Sequence, residues 1–208
     1  NIFILDIISG LETQFTFDGS DEILNGHFDW VYEEEFSIIN GIKWSPDSKK
    51  IAFWKLDQTN VPEIEIQKWD SLYLNSLKMR YPKPGANNSF VNICIADINS
   101  AAITIADLGS ETDIYVPRIE FTSNPNILAI QRMNRLQTTL DLLFCDSKTG
   151  KTNRVLSETE NAWVTISDNW NFLKKSDSFI WTSEKDGFNH IYYYDIKGNL
   201  INKLTSGN

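Results

Sequence analysis

Three consecutive carboxylates, Glu33, Glu34 and Glu35, follow Trp30 and Tyr32 in the sequence. Aromatic rings at this spacing indicate partial burial, and like charges in a partly buried place raise each other's pKa unless a positive group lies among them. The segment therefore predicts a site for a cation, and an ammonium group fits because it offers several charged hydrogen-bond donors. From the pattern alone, a charged turn with an aromatic anchor is the alternative.

The local conformation decides whether two neighbouring glutamates can bind one group. Adjacent residues of a strand point to opposite faces, so Glu34 and Glu35 require a short helix or an irregular turn. Asp29 suits the N-cap of one helical turn over residues 30–35, in which neighbours diverge by about 100°. We therefore expect a short helix that directs both side chains towards one ligand.

The remaining side chains of this segment are expected to support the helix. Trp30 and Tyr32 should pack it onto the sheet, and Glu33 should face elsewhere in a structural role, paired with a Lys or Arg. His27 lies close to Asp29, but no serine is placed beside it as a nucleophile, so we expect it to pack in the turn.

A repeated pattern indicates the fold that must position these residues. An alternating apolar strand that ends in Asp, followed by a tight turn and a second strand, recurs at Asp6, Asp97, Asp146 and Asp195. The last three aspartates are 49 residues apart, a period typical of β-propellers with four-stranded blades. The longer interval from Asp6 to Asp97 indicates an insertion, and the three glutamates lie within it.

Strand pairs upstream of these aspartates complete each repeat. They are expected from Gly41 and Lys50 in the first repeat, from Ile119 and Ile127 in the second, and from Trp163 and Ser178 in the third. We predict an all-β fold, a partial propeller of antiparallel blades with a short inserted helix and an extended arm. The expected parts are the end of a blade (1–20), a blade with the insertion (21–98), and two further blades (99–147 and 148–208).

Composition limits the possible functions. The chain has 208 residues, of which 41% are hydrophobic, enough for a substantial core. A net charge of -9 argues against nucleic acid, which needs a basic surface. Cys94 and Cys145 are too few for a disulfide framework or a zinc site, so we expect free core thiols, no metal and no cofactor.

Four short motifs follow one another along the chain. They are Asp29-Trp-Val-Tyr-Glu-Glu-Glu35, Trp44-Ser-Pro-Asp47, Thr59-Asn-Val-Pro62-Glu-Ile-Glu65 and Tyr81-Pro-Lys-Pro-Gly85-Ala-Asn87. They occur in the order found in the propeller domain of the dipeptidyl peptidase IV family, which the chain resembles most densely over residues 29–97. The resemblance implies that Glu34 and Glu35 bind the free amino terminus of a peptide. It also implies a serine exopeptidase that releases dipeptides, usually with Pro or Ala second.

The resemblance places the catalytic groups outside this sequence. The family's Ser, Asp and His belong to an α/β-hydrolase domain expected after residue 208, and no Gly-x-Ser-x-Gly occurs here. We therefore assign no catalytic residue and expect this segment alone to be inactive. An assisting arginine is expected before residue 1. Residues 165–168 differ from the aromatic and basic pair of mammalian members, so no site residue is assigned there.

The resemblance also implies partners and a compartment. Residues 60–76 are expected to form an edge ribbon that helps to build a homodimer through Trp69, Leu72, Tyr73 and Leu74. The alternative is a loop folded back on its own blade. An exported enzyme, periplasmic or extracellular, is expected.

Two other functions fit a propeller of this kind. One is a non-catalytic scaffold that binds a protein or a cationic peptide, and the other is the size filter of a prolyl oligopeptidase-type endopeptidase. The glutamate motif favours the exopeptidase, because an endopeptidase has no reason to neutralise a free amine.

Overall fold

Antiparallel β-sheet is the main regular structure of the computed structural model, which describes residues 1–174 and 176–207. The chain divides into two compact units. One unit comprises residues 1–42 and 53–94, and the other comprises residues 43–52 with the chain from Ile95 onward. Among the described residues, no helix has the length and apolar character needed to cross a membrane.

A hairpin and a larger sheet form the first half of the chain. Their strands are β1 (Phe3–Leu5), β2 (Glu12–Gln14), β3 (Ile23–Asn25), β4 (Ile42–Trp44), β5 (Lys50–Asp57), β8 (Phe90–Asp97) and β9 (Ile103–Ile105). The hairpin pairs β1 with β2. In the larger sheet the order is β3-β5-β8-β9, and β4 also pairs with β5.

Two four-stranded antiparallel sheets follow, each with its strands in sequence order. Together with the larger sheet and the leading hairpin, they confirm the predicted partial propeller. The first sheet contains β10 (Ile114–Phe121), β11 (Ile127–Asn134), β12 (Thr139–Asp146) and β13 (Thr152–Thr159). The second contains β14 (Asn171–Phe172), β15 (Ser178–Ser183), β16 (His190–Asp195) and β17 (Leu200–Lys203).

The predicted arm is a separate two-stranded ribbon. Strands β6 (Glu63–Lys68) and β7 (Asn75–Arg80) pair in an antiparallel register from Glu63 opposite Arg80 to Lys68 opposite Asn75. The four apolar residues at its tip are 70–93% exposed, which excludes the alternative of a loop folded back on its blade. They are Trp69, Leu72, Tyr73 and Leu74.

The recurring aspartates shape the turns between the last two strands of each sheet. One carboxylate oxygen of Asp146 accepts hydrogen bonds from the backbone N–H groups of Lys148 and Thr149. Asp6, Asp97 and Asp195 accept the equivalent bonds in their own turns. Donors to these carboxylates stabilise the charged form and lower the pKa of all four carboxyl groups. The main donor is a backbone N–H for Asp6, Asp97 and Asp146, and it is the side-chain amide of Asn199 for Asp195.

This role corrects the predicted limits between blades. Asp97 and Asp146 lie inside a sheet, because β9 and β13 follow them and pair with the preceding strand. The predicted limits at 98 and 147 placed these outer strands in the next repeat, and the sheets instead end at Ile105 and Thr159.

The first strand of the last sheet also begins later than expected. Trp163 lies in no strand and is 68% exposed, and the backbone N–H of Val164 donates to the carbonyl of Gln137. Pairing with β15 starts only at Asn171. Apolar residues at 163 and 164 therefore did not mark a strand.

Period-two alternation buries one large apolar set in the sheets. Trp54, Leu142, Trp181 and Tyr192 are each at most 1% exposed. Cys94 and Cys145 are buried free thiols, as predicted, and burial raises their pKa values to about 11 and about 12. Neither thiol is therefore ionised, and neither is reactive, at neutral pH.

Two glycines test how closely neighbouring backbones approach. Gly10 and Gly150 both follow a turn aspartate and both have a φ of 73°. A Cβ on Gly150 would lie 2.1 Å from the carbonyl oxygen of Ile105, whereas a Cβ on Gly10 would meet nothing within 4 Å. The two positions thus share the same backbone strain and differ in steric space.

We expect Gly150→Ala to destabilise the protein by about 1–3 kcal/mol more than Gly10→Ala, because the left-handed strain is common to both and only the first also overpacks. Urea unfolding of the two variants measures the difference. Equal losses would mean that the backbone beside Gly150 moves aside freely.

Candidate functional site

The three glutamates lie in a loop whose two ends are hydrogen-bonded to the same residue of the larger sheet, Trp54. The backbone N–H of Gly26 donates to the carbonyl of Trp54 (2.8 Å), and the N–H of Trp54 donates to the carbonyl of Gly41 (3.3 Å). Residues 27–40 therefore form a loop whose two ends are fixed opposite the same position of β5. A Cβ on Gly41 would lie 2.5 Å from the carbonyl of Gly26, so the ends touch.

A single short helix, α1 (Trp30–Glu34), occupies this loop. Asp29 is its N-cap, as predicted, and Oδ1 of its carboxylate accepts from the backbone N–H of Tyr32 at 3.0 Å. Glu35 keeps helical dihedral angles as the C-cap. Ser37 then adopts a φ of 54°, which turns the chain sharply away from the helix axis.

Aromatic packing fixes α1 on the sheet. Tyr32 is 2% exposed and stacks on Phe28, with ring centroids 5.6 Å apart, and contacts Phe36 at 5.3 Å. Phe28 in turn meets Trp54 edge to face at 5.2 Å. The predicted packing role of Tyr32 is confirmed, and the rings tie the helix to the residue that anchors the loop.

The segment that follows the arm holds the start of the helix. The ring of Tyr81 lies 4.4 Å from that of Trp30, which is half-buried. The hydroxyl of Ser89, itself 5% exposed, donates to Oδ2 of Asp29. The Asp29 carboxylate thus accepts one bond from α1 and one from Ser89, for which the sequence predicted no role in this site.

Glu34 and Glu35 lie at the other end of α1 and are exposed. No salt bridge or hydrogen bond pairs either carboxylate within the described part of the chain, and the last helical turn contains no basic residue. The free carbonyl groups of a helix end carry partial negative charge. Two further negative charges there are unfavourable, and an incoming cation would relieve the repulsion.

Glu33 differs from its prediction. It has no ion-pair partner among residues 1–174 and 176–207, and it is exposed at the edge of a cavity of about 840 Å³. Lys78 and Arg80 line the same cavity but pair with Glu63 and Glu22, at 3.4 and 2.6 Å. The two basic residues that line this cavity are therefore already paired with other carboxylates, and the expected pairing of Glu33 with a Lys or Arg is not seen among the described residues.

His27 is also exposed, and it lines the same cavity. Its Nδ1 donates to the carbonyl of the next residue, Phe28, at 2.8 Å. The expected packing role in the turn is thus reduced to a local hydrogen bond.

The base of the arm is fixed close to this site. Nη1 of Arg80 donates to the carbonyls of Thr59 and Val61 at 3.0 and 2.9 Å. The backbone N–H of Tyr81 donates to the carbonyl of Pro62 at 2.8 Å. Tyr81 therefore contacts α1 from a backbone that is held on both sides of the arm.

The second unit contributes no assigned site residue. Asp168, in the segment 165–168 to which no site role was assigned, forms an ion pair with Arg118 at 2.5 Å. In the described ranges, no group of three or more His, Cys, Asp or Glu side chains could hold a metal ion.

Comparisons with known proteins identify the family to which the chain is similar. The whole chain, residues 1–208, matches the family model described as "Dipeptidyl peptidase IV (DPP IV) N-terminal region". Proteins named "Probable dipeptidyl-aminopeptidase B" from Coccidioides posadasii and Uncinocarpus reesii are each 30% identical to it across 100% of the chain. The alignments cover 25% and 26% of those proteins, so the chain spans about a quarter of the length of these relatives.

Solved structures share the fold. The crystal structure of Porphyromonas gingivalis dipeptidyl peptidase 4 matches with a TM-score of 0.90 and 35% identity, over 99% of this chain and 30% of that one. A Bacteroides ovatus crystal structure matches with a TM-score of 0.86 and 21% identity, over 100% of this chain and 34% of that one, which supports the fold alone.

Two substitutions of the N-cap residue Asp29 separate the effect of its charge on stability from the effect of its hydrogen bond. Burial raises the pKa of Asp29, and the Ser89 and backbone hydrogen bonds oppose this effect only in part. Asp29→Ala should destabilise the protein by about 0.5–2 kcal/mol, whereas Asp29→Asn, which keeps the acceptor, should cost much less. Urea unfolding at neutral pH measures both.

The sign of the pH dependence follows from the raised pKa. The folded Asp29 carboxyl binds its proton more tightly than the unfolded one, so the wild type gains stability relative to Asp29→Asn as pH falls from neutral towards about 4. The turn aspartates are common to both proteins and cancel in the comparison. A stability difference that does not change with pH would contradict a raised pKa.

Proposed function

Because the chain belongs to the dipeptidyl peptidase IV family, as its N-terminal region, we propose that it is the substrate-gating propeller portion of a serine exopeptidase. In this proposal, Glu34 and Glu35 bind the terminal ammonium of a peptide, and the enzyme releases Xaa-Pro or Xaa-Ala dipeptides. The catalytic Ser, Asp and His belong to a hydrolase domain of the same protein.

One observation carries the proposal. Glu34 and Glu35 are adjacent, and both are exposed at the C-terminal end of α1. The last turn of this helix contains no basic residue. Charges left in such a place lower stability unless a ligand uses them. Both residues have helical dihedral angles, so their side chains do not point to opposite faces as neighbours in a strand would.

The chemistry of an α-ammonium group suits this pair. It has three N–H donors, and each charge-assisted hydrogen bond to a carboxylate contributes about 1.5–3 kcal/mol. Two such bonds bind a free amino terminus in preference to an acylated one. If the nucleophile lies at a fixed distance from this point, cleavage falls after a fixed number of residues.

We also propose that the arm contacts a second copy of the protein. Its tip exposes Trp69, Leu72, Tyr73 and Leu74, an apolar cluster at the end of a polar ribbon. Exposed apolar side chains in one place are typical of interaction sites.

We expect Glu34→Gln and Glu35→Gln to lower kcat/KM for a free-amine Xaa-Pro substrate by about 10- to 100-fold each, because each removes one charged hydrogen bond. The folding stability of the full-length protein should change little. Glu33→Gln is the matched control, since it removes the adjacent charge of the same helix and should keep most activity. Full activity of both other variants, or efficient cleavage of an N-acetylated substrate by the wild type, would refute the assigned role.

For the arm, the double variant Trp69→Glu with Leu72→Glu should convert a dimer of the full-length protein to a monomer in analytical ultracentrifugation. Gln67→Glu, an exposed neutral-to-acidic change on the same arm, should leave the dimer intact. A dimer that survives the double variant would show that the arm tip is not the interface.

A further inference from the structure

The start of α1 is held by a residue 60 positions away in the sequence. The hydroxyl of Ser89 donates to Oδ2 of Asp29, and Oδ1 of the same carboxylate caps the helix. Ser89 is 5% exposed, so water does not replace this bond easily. The contact joins the helix that carries the glutamates to the segment that follows the arm.

We propose that Ser89 is a positioning residue for the ammonium site, because its contact with Asp29 sets where α1 presents Glu34 and Glu35. This inference rests on the proposed function and adds to it a residue outside the glutamate motif. Ser89 touches no substrate in this account, and it acts only through Asp29.

The length of α1 explains why an outside contact matters. Its five residues form fewer turns than a helix needs to be stable alone, so tertiary contacts must fix its position. At 1.5 Å per residue the helix is about 7.5 Å long, and a tilt of about 10° at Asp29 moves the far end by about 1.3 Å. A displacement near 1 Å is enough to weaken the binding of a reacting group strongly.

The same segment makes a second contact with the first turn. Tyr81 packs against Trp30, and its backbone N–H is bonded to the carbonyl of Pro62 at the base of the arm. The Ser89 hydroxyl and the Tyr81 ring therefore approach the start of α1 from one anchored segment. Removing the hydroxyl leaves the Asp29 carboxylate partly buried with one fewer donor, which favours a shift of the helix start.

The test compares how the full-length enzyme binds two inhibitors. One is an Xaa-Pro dipeptide, and the other is the same molecule with a hydroxyl in place of the α-amine, so the ratio of their inhibition constants measures the preference for an amine. Ser89→Ala should lower this preference by about 3- to 10-fold. Ser89→Cys, with a similar size and a weaker donor, should give an intermediate loss and serves if the alanine variant does not fold.

Ser45 provides a matched control. It is 2% exposed, and its hydroxyl donates to the carboxylate of Asp47 at 2.7 Å in a turn that carries no assigned site residue. Ser45→Ala should reduce thermal stability while leaving the amine preference unchanged. An unchanged preference in Ser89→Ala, or equal weakening of both inhibitors, would overturn the proposal.

A combined variant separates failure of this inference from failure of the proposed function. In a background that carries both Glu34→Gln and Glu35→Gln, Ser89→Ala should have little further effect on the amine preference, because the two carboxylates through which Ser89 acts are already gone. If Glu34→Gln and Glu35→Gln themselves leave the preference unchanged, the proposed function fails. If they lower it and Ser89→Ala does not, only the role of Ser89 is lost.

Discussion

The candidate site depends on the backbone of one residue in a buried strand. Trp54 accepts a hydrogen bond from Gly26 and donates one to Gly41, so a loop outside the repeated sheet starts and ends at a fixed point. Its indole also packs edge to face against Phe28 below the helix. The helix is too short to be stable through its own hydrogen bonds, so the sheet fixes its position. The loop can therefore present side chains for binding without disturbing the core of the sheet.

The charges at the C-terminal end of α1 are opposite in sign to those that the helix dipole favours there. An acidic N-cap at Asp29 agrees with the helix dipole, but Glu34 and Glu35 stand at the carbonyl end, where negative charge is unfavourable. The last turn of the helix contains no basic residue, and no salt bridge pairs either carboxylate within the described residues. Such local conflict is expected where a site is kept ready for a ligand of opposite charge.

Local rules predicted much of this structure. Alternating apolar residues and turn aspartates such as Asp146 identified the strands, and the capping preference of Asp29 identified the helix. The blade limits were wrong because Asp146 closes a turn within a sheet. The contact of Ser89 with Asp29, and the lack of an ion-pair partner for Glu33 among the described residues, could not be read from sequence, since both depend on which distant side chains meet. The predicted strand start at Trp163 was wrong, because apolar residues alone do not show which segment pairs with the next strand of the sheet.

The most direct measurement is a structure of the full-length protein with an uncleaved peptide that has a free amino terminus. The account predicts that the terminal nitrogen lies within about 3 Å of a carboxylate oxygen from each of Glu34 and Glu35. It is contradicted if the nitrogen binds elsewhere, or if a Lys or Arg of the protein occupies the position between the two carboxylates.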